Sequence, residues 1–293
     1  MYNAKMIKTP LLLMLMMCFG ILAYGQPNLP RKSPKASTSY TVGLTDITVA
    51  YSSPSVNGRA IWGELEAWDK LWRAGANEAT TIEFSTDAVI EGQPLPKGKY
   101  SFFVIPKETG KWTVIFNKIA DQWGAYQYDE KQDALRVDIA PKMVKVSEER
   151  LSYRIVDQGI DKGYIRLGWE KMRLYVRFRV KYLDEAIASV EAAVAGGGDK
   201  VWTFYAQGAE FLLDAKKEMK KAQEWADKST ELFGHSWNWW IKAQVDAANG
   251  DYKSAVASAA KSAEMAAANE KDRFYDSAKT EIENAVTEWK SKS

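Results

Sequence analysis

The spacing of the apolar residues changes near Lys181, and this change constrains the fold more than any other feature. Before Lys181, short runs of alternating apolar and polar residues are separated by Gly, Pro and Asp. After it, Ala-rich runs place apolar residues three and four positions apart. Alternation is typical of strands with one buried face, and the wider spacing is typical of amphipathic helices. The chain is therefore predicted to be multidomain, with a β part followed by an α part.

Residues 37–180 carry the strand signals. Ile47, Val49 and Tyr51 alternate with smaller or polar residues, and a longer alternating set runs from Met172 to Val180. Turn residues separate such segments at intervals of roughly 8–12 residues. Regularly spaced short strands predict an antiparallel β-sandwich, jelly-roll-like in arrangement. We expect residues 26–36, which are rich in Pro and Lys, to form a mobile lead-in to this domain.

Residues 181–293 carry a weak internal repeat. Residues 222, 226 and 229 (Ala, Ala and Ser) recur 33 positions later. That spacing is close to the period of about 34 residues of tetratricopeptide helix pairs. We therefore predict a tetratricopeptide-like helical domain. Two interpretations of it stay open: a concave face that binds a peptide, or a buttress packed on the β domain. The cluster Trp237, Trp239 and Trp240 fits core and contact surface better than a cofactor site.

The first 25 residues have the pattern of a signal peptide. Lys5 and Lys8 precede an apolar run from Leu11 to Leu22, which is shorter than the roughly 18 residues needed to cross a bilayer. Ala23 and Gly25 supply small residues before a cleavage site. We expect a cleaved signal, a periplasmic or secreted protein, and no membrane span after cleavage. An uncleaved N-terminal anchor is the alternative.

Composition excludes several kinds of chemistry. The one cysteine, Cys18, lies inside the signal pattern, and the one histidine is His235. Catalytic triads, multi-histidine metal sites and thiol chemistry therefore lack their residues. No glycine-rich nucleotide motif is present. Removing Lys5 and Lys8 lowers the net charge from +2 to 0, which gives no attraction to nucleic acid. We expect no cofactor, no metal and no nucleic-acid partner.

Three segments place tryptophan beside polar groups. They are residues 57–63, 72–80 and 121–126. Aromatic faces take up C–H surfaces and Arg, Asn or Glu fix orientation, so such loops suit a shallow cleft for a small polar ligand, a glycan or a peptide. Gly75 would permit a tight turn that directs these groups together. The candidate ligand-binding residues are Arg59, Trp62, Trp72, Arg73, Asn77, Glu78 and Trp123.

Two sets of charged residues also have interpretations that involve no ligand. Arg73 and Glu78 could pair with each other and hold their loop on the edge of the sandwich. The basic residues Lys171, Arg173, Arg177 and Arg179 fall on one side of the last strand. They indicate a charged outer face, or alternatively an anion-binding stripe.

Several of these motifs occur in the order typical of one family. They are Tyr51-Ser52-Ser53-Pro54, Gly58-Arg59-Ala60-Ile61-Trp62-Gly63, Trp72-Arg73-Ala74-Gly75-Ala76-Asn77-Glu78-Ala79-Thr80, Leu95-Pro96-Lys97-Gly98-Lys99-Tyr100-Ser101, Trp112-Thr113-Val114-Ile115-Phe116-Asn117 and Gln122-Trp123-Gly124. Over about residues 33–180 the chain resembles the DUF2911 family of exported bacterial proteins. Ser53 stands where Arg is expected, and Ala74 where Thr is usual. The resemblance implies a secreted β-sandwich with a shared polar–aromatic site at the seven candidate residues. It implies no activity.

Two functions of different classes follow. The first is a non-catalytic binding protein with a ligand cleft on the β-sandwich and a helical tail that docks a partner. The alternative is an envelope hydrolase for glycans or peptides, with Glu78 as the reacting carboxylate and Arg73 orienting the substrate. In a third, purely structural interpretation, the Trp-rich loops form an interface to the tail. The missing His and Cys favour binding over catalysis.

Overall fold

The computed structural model describes residues 29–269 and 272–293, and the predicted signal peptide lies outside them. The described β region is built from ten strands, which pair antiparallel. They are β1 (Lys35–Val42), β2 (Thr45–Ser52), β3 (Thr80–Phe84), β4 (Ala88–Ile90), β5 (Gln93–Leu95), β6 (Gly98–Ile105), β7 (Trp112–Asn117), β8 (Asp133–Ile139), β9 (Lys142–Asp157) and β10 (Lys162–Val180).

The strands form two sheets with one core between them. One sheet has the order β1-β2-β3-β6-β7-β8, and the other has the order β5-β4-β10-β9. The ring of Phe84 in the first sheet meets that of Phe178 in the second at 6.5 Å, and Phe102 meets Tyr153 at 6.2 Å. Each buried ring of this size stabilises the fold by about 1.5–3 kcal/mol. The alternating residues of the sequence are thus the inner faces of two antiparallel sheets.

The N-terminal segment joins the first sheet earlier than expected. β1 begins at Lys35, two residues before the predicted domain start at Ser37. The backbone N–H of Ser53 donates to the carbonyl of Pro34 at 2.8 Å. Part of the predicted lead-in is therefore attached to the β region, because polar, Pro-rich composition signals exposure but does not prevent backbone pairing.

Strand β10 doubles back on itself. The backbone N–H of Val180 donates to the carbonyl of Asp161, just before the strand begins, at 2.8 Å. Between them, Glu170 has a φ of 49°, in the left-handed region, and the pairing with β9 shifts register on either side of it. The reversal moves Arg173 off the outer face: it is 4% exposed and pairs with Glu148 at 3.1 Å. The predicted outward stripe therefore excludes Arg173.

Six helices are described after the β region. They are α1 (Leu183–Ala195), α2 (Val201–Ala215), α3 (Met219–Leu232), α4 (Ser236–Ala248), α5 (Tyr252–Ala267) and α6 (Arg273–Lys290). The β-then-α arrangement agrees with the prediction from apolar spacing. None of the described helices is both long and apolar enough to cross a membrane.

The internal repeat corresponds to two equivalent helix pairs, α2–α3 and α4–α5. In the first pair the hydroxyl of Ser229 donates to the carbonyl of Trp202 at 2.7 Å. In the second pair the hydroxyl of Ser262 donates to the carbonyl of Ser236, also at 2.7 Å. The repeated alanines are buried where the helices of each pair meet. The sequence repeat thus encodes one hydrogen bond and one small-residue contact, used twice.

Extensive packing joins strand to strand or helix to helix. No described strand packs extensively on a described helix. Only two residues, 181 and 182, separate β10 from α1, and the ring of Tyr182 lies 6.0 Å from that of Phe211 in α2. The packing gives no support to the interpretation of the helices as a buttress of the β region.

Candidate functional site

The 72–80 segment is held rigidly between the sheets. Trp72 exchanges two backbone hydrogen bonds with Val104, and Ala74 accepts hydrogen bonds from the hydroxyls of Thr80 and Tyr153. Ala74 has a φ of 52°, in the left-handed region, and Asn77 one of 59°, whereas Gly75 has no positive φ. A Cβ on Gly75 would lie 2.7 Å from the hydroxyl of Thr80. Glycine is therefore required here for close approach, and not for the turn conformation that the sequence suggested.

Glu78 is paired with the N-terminal segment. Nη1 of Arg31 donates to both carboxylate oxygens of Glu78, at 2.8 and 2.9 Å, and Nζ of Lys35 lies 3.3 Å away. The hydroxyl of Ser52 adds a longer contact at 3.4 Å. Burial alone would raise the pKa of Glu78, but the hydrogen bonds from Arg31, its own backbone and Lys35 lower it to about 2. The predicted Arg73–Glu78 pair is not formed, because Arg31 and Lys35 occupy the carboxylate.

Arg73 is left without an ion pair among the described carboxylates. Its Nε is buried and has no hydrogen-bond partner. The charge of Arg73 nevertheless acts on Glu66, a half-buried carboxyl in the preceding loop. Burial raises the pKa of Glu66 to about 7, and the charges of Arg73 and Arg59 oppose that rise. Glu66 therefore changes charge near neutral pH, and nothing in its sequence surroundings indicated this.

Two of the candidate tryptophans pack in or against the core: Trp72 is buried, and Trp62 is partly buried beside it. Trp72 is 4% exposed and stacks on Trp169 with ring centroids 5.9 Å apart. Trp62 packs against Trp72 at 5.5 Å and Trp112 at 4.7 Å. The indole N–H groups of Trp62 and Trp169 are buried without a partner. Spacing along the sequence cannot distinguish a core tryptophan from a surface one at a loop, so these two were included with the candidates.

Arg59 stabilises its own turn. Its Nε donates to the carbonyl of Val56 at 3.0 Å, and its Nη2 donates to that of Ser55 at 2.5 Å. The turn contains Asn57 and Gly58, both with positive φ. The side chain is exposed and hydrogen-bonded to backbone groups, and its charge opposes the raised pKa of Glu66.

The third loop lies against the 72–80 segment. The N–H of Ala79 donates to the carbonyl of Gln122, and that of Gly124 donates to the carbonyl of Asn77, both at 3.0 Å. The amide of Asn77 donates to the carbonyl of Ser33 at 3.3 Å. Trp123 between these contacts is 55% exposed. The structure thus brings together Asn77, Glu78 and Trp123 of the candidate set.

A cavity of about 210 Å³ opens beside Glu78. Its lining combines small side chains from β1, β2 and β3 with charged groups of both signs. The lining residues are Lys35, Ala36, Ala50, Tyr51, Ser52, Glu78, Ala79, Thr81, Lys99, Ala120, Asp121 and Gln122. Gln122 is buried and donates to the carbonyl of Ile119 at 2.7 Å, while its Oε1 is buried without a partner. The Oε1 atom is shielded from solvent, so the cavity itself offers the charged groups and hydroxyls of its lining.

Sequence reasoning missed most of this cavity. Lys35 was assigned to the lead-in, and Ser52 and Lys99, although they lie in family motifs, were not among the candidate ligand-binding residues. Gln122 was noticed only as the neighbour of Trp123. The pairing of β1, β2 and β3 brings these positions together, and alternation does not specify which strands are neighbours.

Comparison with known proteins supports the family indicated by the motifs. Residues 33–178 match the family described as Protein of unknown function (DUF2911). No curated protein matches the chain, and no solved structure does. The match covers the β region and ends before α1.

Proposed function

We propose, from the premise that residues 33–178 match the DUF2911 family, that the protein is an exported, non-catalytic binding protein whose β region holds a small polar ligand. The observation that carries this proposal is the cavity beside Glu78, whose lining offers charges of both signs together with hydroxyl groups. At about 210 Å³ it is smaller than the roughly 300–1,000 Å³ of sites for drug-sized ligands, so its ligand is small.

The lining favours a short peptide over a glycan. Lys99 can face a carboxylate and Asp121 can face an amino group, whereas Lys35 and Glu78 already pair with each other. Tyr51 is the one aromatic side chain that lines the cavity, which offers little stacking surface for a sugar ring. A peptide or amino acid with both charges matches the lining, and its alanines leave room for a small side chain.

Thermal shift with the purified protein tests this assignment. Di- and tripeptides, free amino acids and monosaccharides are added to the parent and to two variants. Ala50→Leu fills the cavity without changing charge, and Thr48→Leu adds bulk two residues away on the same strand, outside the lining. A peptide that stabilises the parent and Thr48→Leu but not Ala50→Leu supports the proposal. It is rejected if no ligand stabilises the parent, or if Ala50→Leu responds like the parent.

Export is proposed from the pattern of the first 25 residues, which lie outside the described structure. Expression of the full chain, followed by N-terminal sequencing of the periplasmic or secreted fraction, tests it. A mature N-terminus at Gln26 is expected, and an intact N-terminus on membrane-bound protein contradicts it.

A hydrolase is the second candidate, with a different carboxyl from the one expected. Glu78 is tied up by Arg31 and Lys35, and a pKa of about 2 makes it a poor proton donor near neutral pH. Glu66 has a pKa of about 7, which suits an acid–base group. Turnover of a glycan or peptide that Glu66→Gln abolishes while binding is spared would favour catalysis, whereas Glu64→Gln serves as the control.

The helical region is proposed to dock a protein partner in the manner of tetratricopeptide arrays. Its support is the repeated pair of hydrogen-bonded helices and the absence of extensive strand–helix packing in the described structure. Exposed Phe233 lies 4.9 Å from the ring of Trp202 and provides an apolar contact point. Partner capture that depends on Phe233, and not on the exposed Leu65 of the β region, is the expected result.

A further inference from the structure

A second concave region lies on the opposite part of the β region and shares no lining residue with the cavity beside Glu78. Two adjoining openings of about 550 and 680 Å³ meet at Glu91, Gln158 and Arg177. We name this region the basic groove, after the cationic side chains that line it. They are Lys111, Lys142, Lys162, Arg177 and Arg179.

The reversal of β10 shapes the groove. Because the two halves of the strand lie side by side, the rings of Tyr164 and Tyr175 meet edge to face with centroids 5.2 Å apart. The ammonium of Lys142 at the start of β9 lies 5.4 Å from the centre of the Tyr175 ring. The groove wall is thus a half-buried aromatic pair with a cation held against it.

The charges of the groove are only partly compensated. Nη1 of Arg177 lies 3.5 Å from Glu91, whose carboxylate also accepts the N–H of Arg177 at 2.7 Å. Arg179 pairs with Asp161 at 3.3 Å. The three lysines make no ion pair with any carboxylate in the described parts of the chain. Their charge is therefore available to a ligand.

The remaining carboxylate of the groove is already engaged. Asp138 accepts a hydrogen bond from the hydroxyl of Thr113 at 2.7 Å. The five cations thus face Glu91, Asp138 and Asp161, and the excess is carried by lysines spread along the groove and not gathered at one point. Lys162 lines one opening and Lys111 and Lys142 line the other, so a ligand with several negative charges matches this distribution better than a single anion.

We propose that the basic groove binds an acidic oligosaccharide, with its carboxylates or sulfates at the lysines and a sugar ring against Tyr164 and Tyr175. Saccharide rings present C–H surfaces that pack on aromatic side chains, and charge adds attraction over a distance of about 10 Å at moderate salt. An anionic membrane fits less well, because the cations line a concavity and the two tyrosines are half-buried and do not project.

Binding of a defined oligomer tests the groove. Titration calorimetry of the purified protein with a galacturonic acid hexamer is compared with that of a neutral maltohexaose. The variant Lys111→Glu/Lys142→Glu reverses two groove charges. The matched control Lys220→Glu/Lys253→Glu makes the same net change on exposed positions of α3 and α5. The groove variant is expected to bind the acidic hexamer at least about ten-fold more weakly, and the control within about two-fold of the parent.

Three results would overturn the proposal. The first is that the parent binds neither the acidic hexamer nor a heparin hexamer saturably. The second is that the groove variant and the control variant lose equal affinity for the acidic hexamer. The third is that the parent binds maltohexaose as tightly as the acidic hexamer. Vesicles of phosphatidylglycerol and phosphatidylcholine form a further arm. Groove-dependent binding to these vesicles without binding to either acidic hexamer would assign the groove to membranes and reject the saccharide.

Discussion

A single nitrogen of Arg31 donates to both carboxylate oxygens of Glu78, at 2.8 and 2.9 Å, across 47 residues of chain. The contact fastens the segment before β1 onto the loop that lines the candidate cavity. It also takes the place of the predicted pair between Arg73 and Glu78. One long-range ion pair thus changes the partner that the sequence suggested for Glu78.

The Glu78 ion pair predicts a defined acid dependence. The pKa of Glu78 is lowered from 4.5 to about 2 in the folded state. Its contribution to the free energy of unfolding is therefore complete above pH 4.5 and is lost as the pH falls from 4.5 towards 2. Arg31→Ala is expected to cost about 0.5–1 kcal/mol at pH 7, since the pair is partly exposed to solvent, and nearly nothing at pH 2. Urea unfolding of the parent and of Arg31→Ala between pH 2 and pH 7 measures this difference in the free energy of unfolding. Lys32→Ala, in the adjacent position, should behave like the parent at every pH.

Glu66 predicts the opposite pH dependence. Burial raises its folded pKa to about 7, so the folded state binds an extra proton between pH 4.5 and 7. The free energy of unfolding should fall as the pH rises through this window. Glu66→Gln is expected to remove that slope and to stabilise the protein at pH 8 on the order of 2 kcal/mol. Thermal unfolding at several pH values measures the slope. A slope that survives in Glu66→Gln but disappears in the exposed Glu64→Gln would contradict the assignment.

The two classes of tryptophan should differ sharply in their contribution to stability. Trp72 is 4% exposed and Trp123 is 55% exposed. Trp72→Ala opens a cavity in the core and is expected to cost about 3–5 kcal/mol. Trp123→Ala removes a largely solvated side chain and should cost less than about 1 kcal/mol. Denaturant titration of both variants provides the comparison, and similar losses would show that Trp123 also supports the core.

The repeated serine hydrogen bonds predict matched effects in the helical region. Ser229→Ala and Ser262→Ala each remove the hydroxyl that donates to one carbonyl of the neighbouring helix, and Ser229→Ala also removes an acceptor of the Asn238 amide. Each is expected to cost about 1–2 kcal/mol, because both hydroxyls are buried. Ser277→Ala, on an exposed face of α6, is the control and should cost less than about 0.5 kcal/mol. A loss at Ser262→Ala no larger than that of the control would contradict the prediction.

Local sequence patterns predicted much of the fold. Alternation over residues 37–180 and the 33-residue repeat after Lys181 were sufficient to predict two antiparallel sheets followed by helices. Both patterns act over a few residues, where side-chain direction follows backbone geometry directly. The jelly-roll-like and tetratricopeptide-like descriptions are finer and stay predictions.

The sites depended on distant contacts, which local patterns do not encode. Arg173 has the alternation of an outward residue, but the reversal at Glu170 turns it into the ion pair with Glu148. Glu66 had no motif around it, and its altered pKa comes from burial and from Arg73 and Arg59. Sequence alone therefore singled out the 72–80 segment but predicted an Arg73–Glu78 ion pair that is not formed.

The two-residue connection between β10 and α1 has a consequence for binding strength. β10 lines the basic groove and ends at Val180, while Tyr182 is already in contact with Phe211 of α2. A single partner that offered a saccharide to the groove and a protein surface to the helices would therefore meet both over a very short tether. Short tethers give effective concentrations in the millimolar range, so weak contacts at each half multiply into avidity. Lengthening this connection with a flexible insert would weaken two-site binding while leaving each separate affinity unchanged.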